Sequence, residues 1–153
     1  LMNVLLFPGQ GSQYAGIATI INEKKLFLAQ EILQDDSFAE TIIKGTEETL
    51  RDTYYSQLSI FLASVSKLEQ FSENIDYALG HSLGEYTALY ACGVFSFEDA
   101  VKVIQKRAIL MKKNLKGSMW AVITQESIKE FLHNSLVIAN FNSKFITFYY
   151  IWW

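Results

Sequence analysis

Residues 77–89 read YALGHSLGEYTAL, a pattern typical of a strand, a sharp turn and a helix. The apolar run over 76–79 predicts a short strand, and the residues after the turn predict a helix. Between them, Gly80 and Gly84 flank Ser82 in the pattern G-x-S-x-G. Glycines let the chain reverse within a few residues, so this turn would present the serine hydroxyl as a nucleophile. The alternative is a serine that only caps the helix.

Strands and helices alternate along the chain, which predicts an α/β protein with a largely parallel sheet. Continuous apolar runs predict buried strands at 3–7, 76–79, 119–124 and 136–139. Apolar side chains at three- and four-residue spacing predict helices within 13–33, 41–70, 83–91, 97–115 and 127–132. The clearest helix follows Ser96, which forms a capping-box pattern with Asp99.

The composition favours one globular domain without nucleic-acid binding. The chain has 153 residues, of which 50% are hydrophobic, and its net charge is −3. Basic residues never occur more than two in a row, so no basic patch is predicted. The single cysteine, Cys92, fits a reducing compartment and is expected to be buried. Because residues 1–7 lack a basic signal-peptide start and the apolar 145–153 stretch is too short to span a bilayer, we expect a cytoplasmic protein with no membrane contact.

A second strand–turn–helix junction lies at 7–13, which reads FPGQGSQ. It does not match a dinucleotide-binding loop, because Tyr14 stands where that pattern needs glycine, and no lysine completes a P-loop. Turns that follow parallel strands meet at one edge of the sheet. The backbone N–H of Gln10 could therefore join an oxyanion hole near Ser82, or this could be a plain tight turn.

Arg107 is predicted on the apolar face of its helix, between Ile104 and Met111. An arginine in such surroundings is costly unless it is paired. Its partner could be the carboxylate of a substrate or an internal salt bridge. His81 is a poor base for Ser82, because adjacent residues of an extended chain project to opposite sides. His133 lies in a polar stretch that predicts an exposed loop.

Three motifs together resemble one known family. FPGQGSQ at 7–13, GHSLGEYTAL at 80–89 and the R-x-x-x-M of 107–111 are similar, in order and spacing, to the malonyl-CoA:acyl carrier protein transacylases. The wider family includes the acyltransferase domains of polyketide synthases. The segments SFEDAVKVI and VIANFNS also fit it, and Gln57 in YYSQLSIF is similar to the glutamine of a T-Q-P-A segment.

The resemblance implies a role for each matching residue. Ser82 would take malonyl from malonyl-CoA as an ester and pass it to the phosphopantetheine thiol of acyl carrier protein, in fatty acid biosynthesis. Gln10 and Leu83 would donate backbone N–H groups to the oxyanion. Arg107 would clamp the malonyl carboxylate, with Met111 and His81 also at the substrate. The resemblance implies no metal, no bound cofactor, and no membrane or nucleic-acid partner.

The resemblance also implies an architecture. Residues 1–116 would form the first part of an α/β-hydrolase-like parallel core, and 117–143 the start of an inserted ferredoxin-like subdomain. Residues 144–153 form an atypical hydrophobic tail that departs from the family pattern. Three interpretations of this tail stay open: a buried last strand, a partner contact, or sequence foreign to the fold.

Family members are much longer than this chain, and their catalytic histidine would lie beyond residue 143. We therefore expect a C-terminally truncated copy that is prone to aggregate and has little or no transacylase activity. General-base help is typically worth about 10²–10⁴-fold in rate. Two other functions stay open. One is a non-catalytic remnant that binds coenzyme A thioesters or carrier protein. The other is a serine hydrolase or thioesterase, which would leave Arg107 unexplained.

Overall fold

The computed structural model describes residues 2–113, 117–123, 136–143 and 146–152, with side chains for 2–113, 122 and 123. The chain divides into two compact units, 1–111 and 112–153. The described elements are, in order, β1 (Val4–Phe7), a 3₁₀ helix (Ile17–Ile20), α1 (Glu23–Leu33), α2 (Phe38–Lys44), α3 (Glu47–Arg51), α4 (Thr53–Leu68), β2 (Tyr77–Gly80), α5 (Leu83–Ala91), α6 (Phe97–Lys113), β3 (Gly117–Ile123), β4 (Leu136–Ser143) and β5 (Ile146–Trp152). The predicted α/β class is confirmed.

The two strands of the first unit, β1 and β2, pair in parallel. Their register runs from Val4 opposite Tyr77 to Phe7 opposite Gly80. Along β1 burial alternates, because successive side chains point to opposite faces of the sheet. Phe7 is buried on the inner face. The register aligns the carboxyl ends of both strands, so the two glycine-containing turns follow the strands side by side.

Helix α4 forms the centre of the hydrophobic core. Its predicted apolar stripe is confirmed, since Leu58, Phe61 and Val65 are all fully buried. The predicted long helical region 41–70 is divided into α2, α3 and α4. Polar caps cause the divisions: Thr46 Oγ1 accepts from the Thr49 N–H at the start of α3, and Asp52 caps α4.

A similar cap divides the region predicted as helical within 13–33. The side chain of Asn22 accepts hydrogen bonds from the N–H groups of Lys24 and Lys25, so α1 begins after it. The residues before Asn22 form the short 3₁₀ helix instead. Among the described residues, no helix is both long and apolar enough to cross a membrane.

Helix α6 begins after the predicted N-cap residue, Ser96, whose side chain bonds to both the N–H and the carboxylate of Asp99. Ser96 Oγ accepts from the Asp99 N–H at 3.0 Å and donates to the Asp99 carboxylate at 2.6 Å. Its inner side is buried at Ala100, Ile104 and Ala108. The prediction that Cys92 is buried is wrong. This thiol is exposed, because Cys92 is the cap residue after the last turn of α5, where the chain leaves the core.

The second unit contains a three-stranded antiparallel sheet with the order β3-β5-β4. The prediction of a largely parallel sheet is therefore wrong for these strands. Only residues 144 and 145 separate β4 from β5, and so short a link permits only antiparallel pairing. Most of the predicted hydrophobic tail thus forms β5, the central strand of this sheet. The predicted helix 127–132 and His133 lie outside the described residues.

Candidate active site

The two glycine-containing turns, one after β1 and one after β2, pack directly against each other. A Cβ atom at Gly84 would lie 2.2 Å from the carbonyl oxygen of Phe7, and one at Gly9 would lie 2.8 Å from the carbonyl oxygen of His81. Real Cβ atoms do not approach backbone this closely, so both positions require glycine. The turn that carries Gln10 and the turn that carries Ser82 are therefore packed as one structure, as the parallel register predicts.

Ser82 has the strained backbone of a sharp strand-to-helix turn. Its φ of 53° and ψ of −104° lie outside the usual regions for a residue with a side chain. The side chain is exposed and does not cap α5, so the alternative of a helix-capping serine is wrong. Leu83 is the first residue of α5, and N–H groups in a first helical turn lack intrahelical partners. Because the Gly84 N–H donates to the His81 carbonyl at 2.9 Å and the Glu85 N–H to the Ser82 carbonyl at 3.2 Å, it is the N–H of Leu83 that suits a developing oxyanion beside Ser82.

Arg107, on α6, forms a hydrogen bond with the Ser82 hydroxyl. Its Nη2 donates to Ser82 Oγ at 2.7 Å, and its Nη1 donates to Gln57 Oε1 at 2.5 Å. The guanidinium also lies over the ring of Tyr86, 5.5 Å from the ring centroid. Each of these partners is neutral. The ion pairs found among the described side chains do not include Arg107, which disfavours the predicted alternative of an internal salt bridge.

Gln57 is the residue that connects the parts of this site. It lies on α4, is fully buried, and its Nε2 donates to Gln10 Oε1 at 3.2 Å and contacts Met111 Sδ at 3.3 Å. One side chain thus links the first turn, through Gln10, with Arg107 on α6. Gln57 was matched to a glutamine of the family segment T-Q-P-A but was not predicted to belong to the site. The available signal was an amide among the buried positions of α4, since a buried amide needs polar partners.

The structure brings most of the predicted site residues together. Ser82, Arg107, Gln10 and Met111 are joined directly or through Gln57. His81 is exposed, and its Nδ1 lies 3.2 Å from the position of a Cβ on Gly9, so its ring lies over the neighbouring turn. Within the described residues, no group of three or more His, Cys, Asp or Glu side chains is arranged to hold a metal ion.

Gln57→Glu tests the link between Gln57 and Arg107. The substitution keeps the side-chain volume but places a carboxylate against the guanidinium, where it would form a charge-assisted pair. A ligand carboxylate would then compete with an internal one. We expect a carboxylate ligand such as malonate to bind at least about 10-fold more weakly, because a hydrogen bond to a charged group is worth about 1.5–3 kcal/mol. Calorimetric titration measures this change.

The matched control for that test is Gln57→Met, which removes the polar contacts without adding a charge. It is expected to weaken the binding of that carboxylate ligand less than Gln57→Glu does. Equal binding by the wild-type chain and Gln57→Glu would contradict the role assigned to this glutamine. Circular dichroism of both variants checks that the helices are retained.

Comparison with known proteins shows which family the chain belongs to. The acyl transferase domain family matches residues 4–147. A malonyl CoA-acyl carrier protein transacylase of Bacillus subtilis is 36% identical over 133 residues, which cover 80% of this chain and 42% of that protein. A polyketide biosynthesis malonyl CoA-acyl carrier protein transacylase of Bacillus velezensis is 31% identical over 154 residues, covering 93% of this chain and 53% of that protein.

Comparison with solved structures gives the same family assignment. The malonyl-CoA:ACP transacylase of Synechocystis superimposes with a TM-score of 0.85 at 30% identity, over 97% of this chain and 54% of that one. The match over most of its length shows that the chain belongs to the acyl transferase domain family. Its most similar relatives include the malonyl CoA-acyl carrier protein transacylases named above. The chain spans about half the length of these relatives.

Proposed function

We propose that this chain carries the acyl-accepting site of a malonyl-CoA:acyl carrier protein transacylase. Ser82 is the nucleophile, and Arg107 binds the free carboxylate of the malonyl group. The observation that carries the proposal is the 2.7 Å contact between Arg107 Nη2 and Ser82 Oγ. The names of the relatives from Bacillus subtilis and Synechocystis support the choice of malonyl-CoA and acyl carrier protein.

The short distance between the Arg107 guanidinium and the Ser82 hydroxyl favours a short acyl group. In a malonyl thioester a single methylene separates the reacting carbonyl from the carboxylate. A nucleophile that attacks this carbonyl must therefore lie close to whatever binds the carboxylate. Arg107 can present two N–H groups to a carboxylate in parallel, a geometry that favours carboxylates over neutral groups. An acetyl group has no carboxylate to pair with the guanidinium. The carboxylate of a longer diacid would extend beyond the guanidinium when its carbonyl lies at Ser82.

The transfer proceeds in two steps through an ester. Ser82 Oγ attacks the thioester carbonyl, the carbon–sulfur bond breaks, and coenzyme A leaves as its thiol. The phosphopantetheine thiol of the carrier protein then attacks the ester, and the serine hydroxyl forms again. In both steps the backbone N–H groups of Gln10 and Leu83 donate to the negative oxygen of the tetrahedral intermediate. Arg107 has no acceptor atom, so a different group removes the serine proton.

The architecture that we propose follows the same family. The parallel pair of β1 and β2 with α5 belongs to an α/β-hydrolase-like core, and the antiparallel sheet of β3, β4 and β5 to a ferredoxin-like subdomain. The strand–turn–helix with its nucleophilic serine supports the first assignment. The activity requires malonyl-CoA as substrate and no resident cofactor or metal. We propose a cytoplasmic location, where the carrier protein and thiol substrates would be available.

Arg107→Ala tests this function by binding alone. We expect the variant to bind malonyl-CoA about 10- to 100-fold more weakly than the wild-type chain, because it lacks a bidentate charged pair with the carboxylate. Binding of acetyl-CoA, which has no carboxylate on its acyl group, should hardly change. Calorimetric titration of both ligands gives the two ratios.

Arg51→Ala is the matched control for this charge removal. Arg51 lies exposed on α3 and pairs with Glu47 at 3.8 Å. We expect this substitution to change the affinity for neither malonyl-CoA nor acetyl-CoA, because ion pairs between exposed side chains contribute little to stability. If Arg107→Ala weakened the binding of malonyl-CoA and of acetyl-CoA equally, the guanidinium would not be recognising the acyl carboxylate, and the proposed substrate would be wrong.

A further inference from the structure

The ring of Tyr86 restricts the position of the Arg107 guanidinium. The central carbon of the guanidinium lies over this ring, 5.5 Å from the ring centroid. Cation–π contacts extend to about 6 Å, so this pair is within range. Tyr86 belongs to α5, and its side chain is half-buried and packs against the hydrophobic core. Because the core fixes the ring, the ring in turn limits where the cation can lie.

The order of residues in α5 presents a ring, and not a carboxylate, to Arg107. Glu85 directly precedes Tyr86, and successive residues of a helix point about 100° apart. Glu85 is exposed, and the ion pairs found among the described side chains do not include it. The guanidinium therefore meets the aromatic neighbour, while the acidic neighbour lies on another side of the helix.

The difference between these two partners matters for a ligand. A carboxylate beside Arg107 would neutralise the guanidinium and compete with any carboxylate that arrives from outside. An aromatic ring attracts a cation through its quadrupole but carries no net charge. The ring of Tyr86 thus stabilises the position of the cation and leaves its full charge for a ligand.

We propose that Tyr86 is a positioning residue for Arg107, which holds the guanidinium beside Ser82 and thereby raises the preference of the site for acyl groups that end in a carboxylate. Tyr86 acts through Arg107 and not on the reacting atoms. The preference for such acyl groups rests on the proposed function, whereas the contact that holds the guanidinium does not.

Acylation of Ser82 changes one contact of Arg107 but not the contact with Tyr86. In the free site Arg107 Nη2 donates to the Ser82 hydroxyl at 2.7 Å. In the malonyl ester this oxygen is bonded to the acyl carbon and accepts hydrogen bonds more weakly, so Nη2 is released for the malonyl carboxylate. The Tyr86 ring is chemically the same before and after this step, and it keeps the guanidinium in place in both states.

Tyr86→Leu tests the positioning role. The variant keeps an apolar side chain against the core but has no ring. We expect the ratio of the affinity for malonyl-CoA to the affinity for acetyl-CoA to fall about 3- to 10-fold, the size of effect that one cation–π contact can supply. Tyr86→Phe keeps the ring and should keep the ratio within about 2-fold of the wild-type value. Calorimetric titration of both ligands measures each ratio.

Tyr90→Leu is the matched control on the same helix. Its ring contacts Phe61 and Phe97 in the core, with centroid distances of 5.8 Å and 6.4 Å. We expect this variant to be less stable but to keep the wild-type affinity ratio. An unchanged ratio in Tyr86→Leu, or an equal fall in Tyr86→Leu and Tyr90→Leu, would overturn the proposal. Circular dichroism checks that the helices of all three variants are retained.

A double-mutant cycle without ligand separates this proposal from the proposed function. Urea unfolding of the wild-type chain, Tyr86→Leu, Arg107→Ala and the double variant gives the four unfolding equilibrium constants. We expect Tyr86→Leu to change this constant at least about 2-fold more when Arg107 is present than when it is alanine. If this coupling is found but the wild-type chain binds malonyl-CoA no more tightly than acetyl-CoA, the contact stands and the proposed function fails. No coupling would overturn the role of Tyr86, whatever the ligand preference.

Discussion

Replacing Gly84 with alanine should lower the free energy of unfolding by at least about 3 kcal/mol, the upper part of the range for overpacked positions. A Cβ at this position would lie 2.2 Å from the carbonyl oxygen of Phe7. Neither atom can move without separating α5 from β1, because both belong to backbone. The serine turn would then open, and Ser82 would lose its position beside Arg107.

Gly93→Ala is the control for this steric effect. Gly93 has a φ of 75°, and a Cβ there would meet nothing within 4 Å. Its replacement should cost only the left-handed backbone penalty of about 1–2 kcal/mol. Urea unfolding followed by the helical signal measures both variants. A Gly84→Ala variant as stable as Gly93→Ala would contradict the close packing of the two turns.

The second large effect concerns the proton of Ser82. The hydroxyl is held by a guanidinium, which donates hydrogen bonds but cannot accept a proton. Imidazole in solution has a pKa near neutrality and can act as a diffusible base. We expect it to accelerate formation of the malonyl ester on this chain at least about 10-fold, since positioned general bases contribute about 10²–10⁴-fold. Intact-mass measurement over time gives the rate.

Two variants make this test specific. Ser82→Ala should show no imidazole-dependent gain of mass. Cys92→Ser should behave like the wild-type chain, although it lacks the exposed thiol that could exchange directly with a thioester. A rate that imidazole leaves unchanged would contradict the view that proton removal limits the reaction at this site.

The sequence predicted those parts of the fold that depend on local chemistry. The glycines around Ser82, the serine N-cap at Ser96 and the apolar stripe of α4 each depend on residues a few positions apart. The structure has each of them where the pattern placed it. Their success reflects steric and capping rules that operate within one or two helical turns.

Contacts between distant residues could not be predicted in this way. The hydrogen bond between Gln57 and Arg107 joins residues 50 positions apart, one on α4 and the other on α6. Local patterns gave Gln57 no partner. The apolar runs of the second unit predicted strands correctly but did not indicate their direction. Antiparallel pairing followed from the short link before β5, which is formed by the segment for which the sequence left a buried strand, a partner contact and foreign sequence open.

The central claim is that Ser82 accepts a malonyl group whose carboxylate is held by Arg107. The most direct test is to incubate the chain with malonyl-CoA in imidazole buffer and to locate the added group by peptide mass spectrometry. We expect one malonyl ester, on Ser82, that is absent from Ser82→Ala and strongly reduced in Arg107→Ala. A malonyl group on any other residue that persists in Ser82→Ala, or no ester at all, would contradict it.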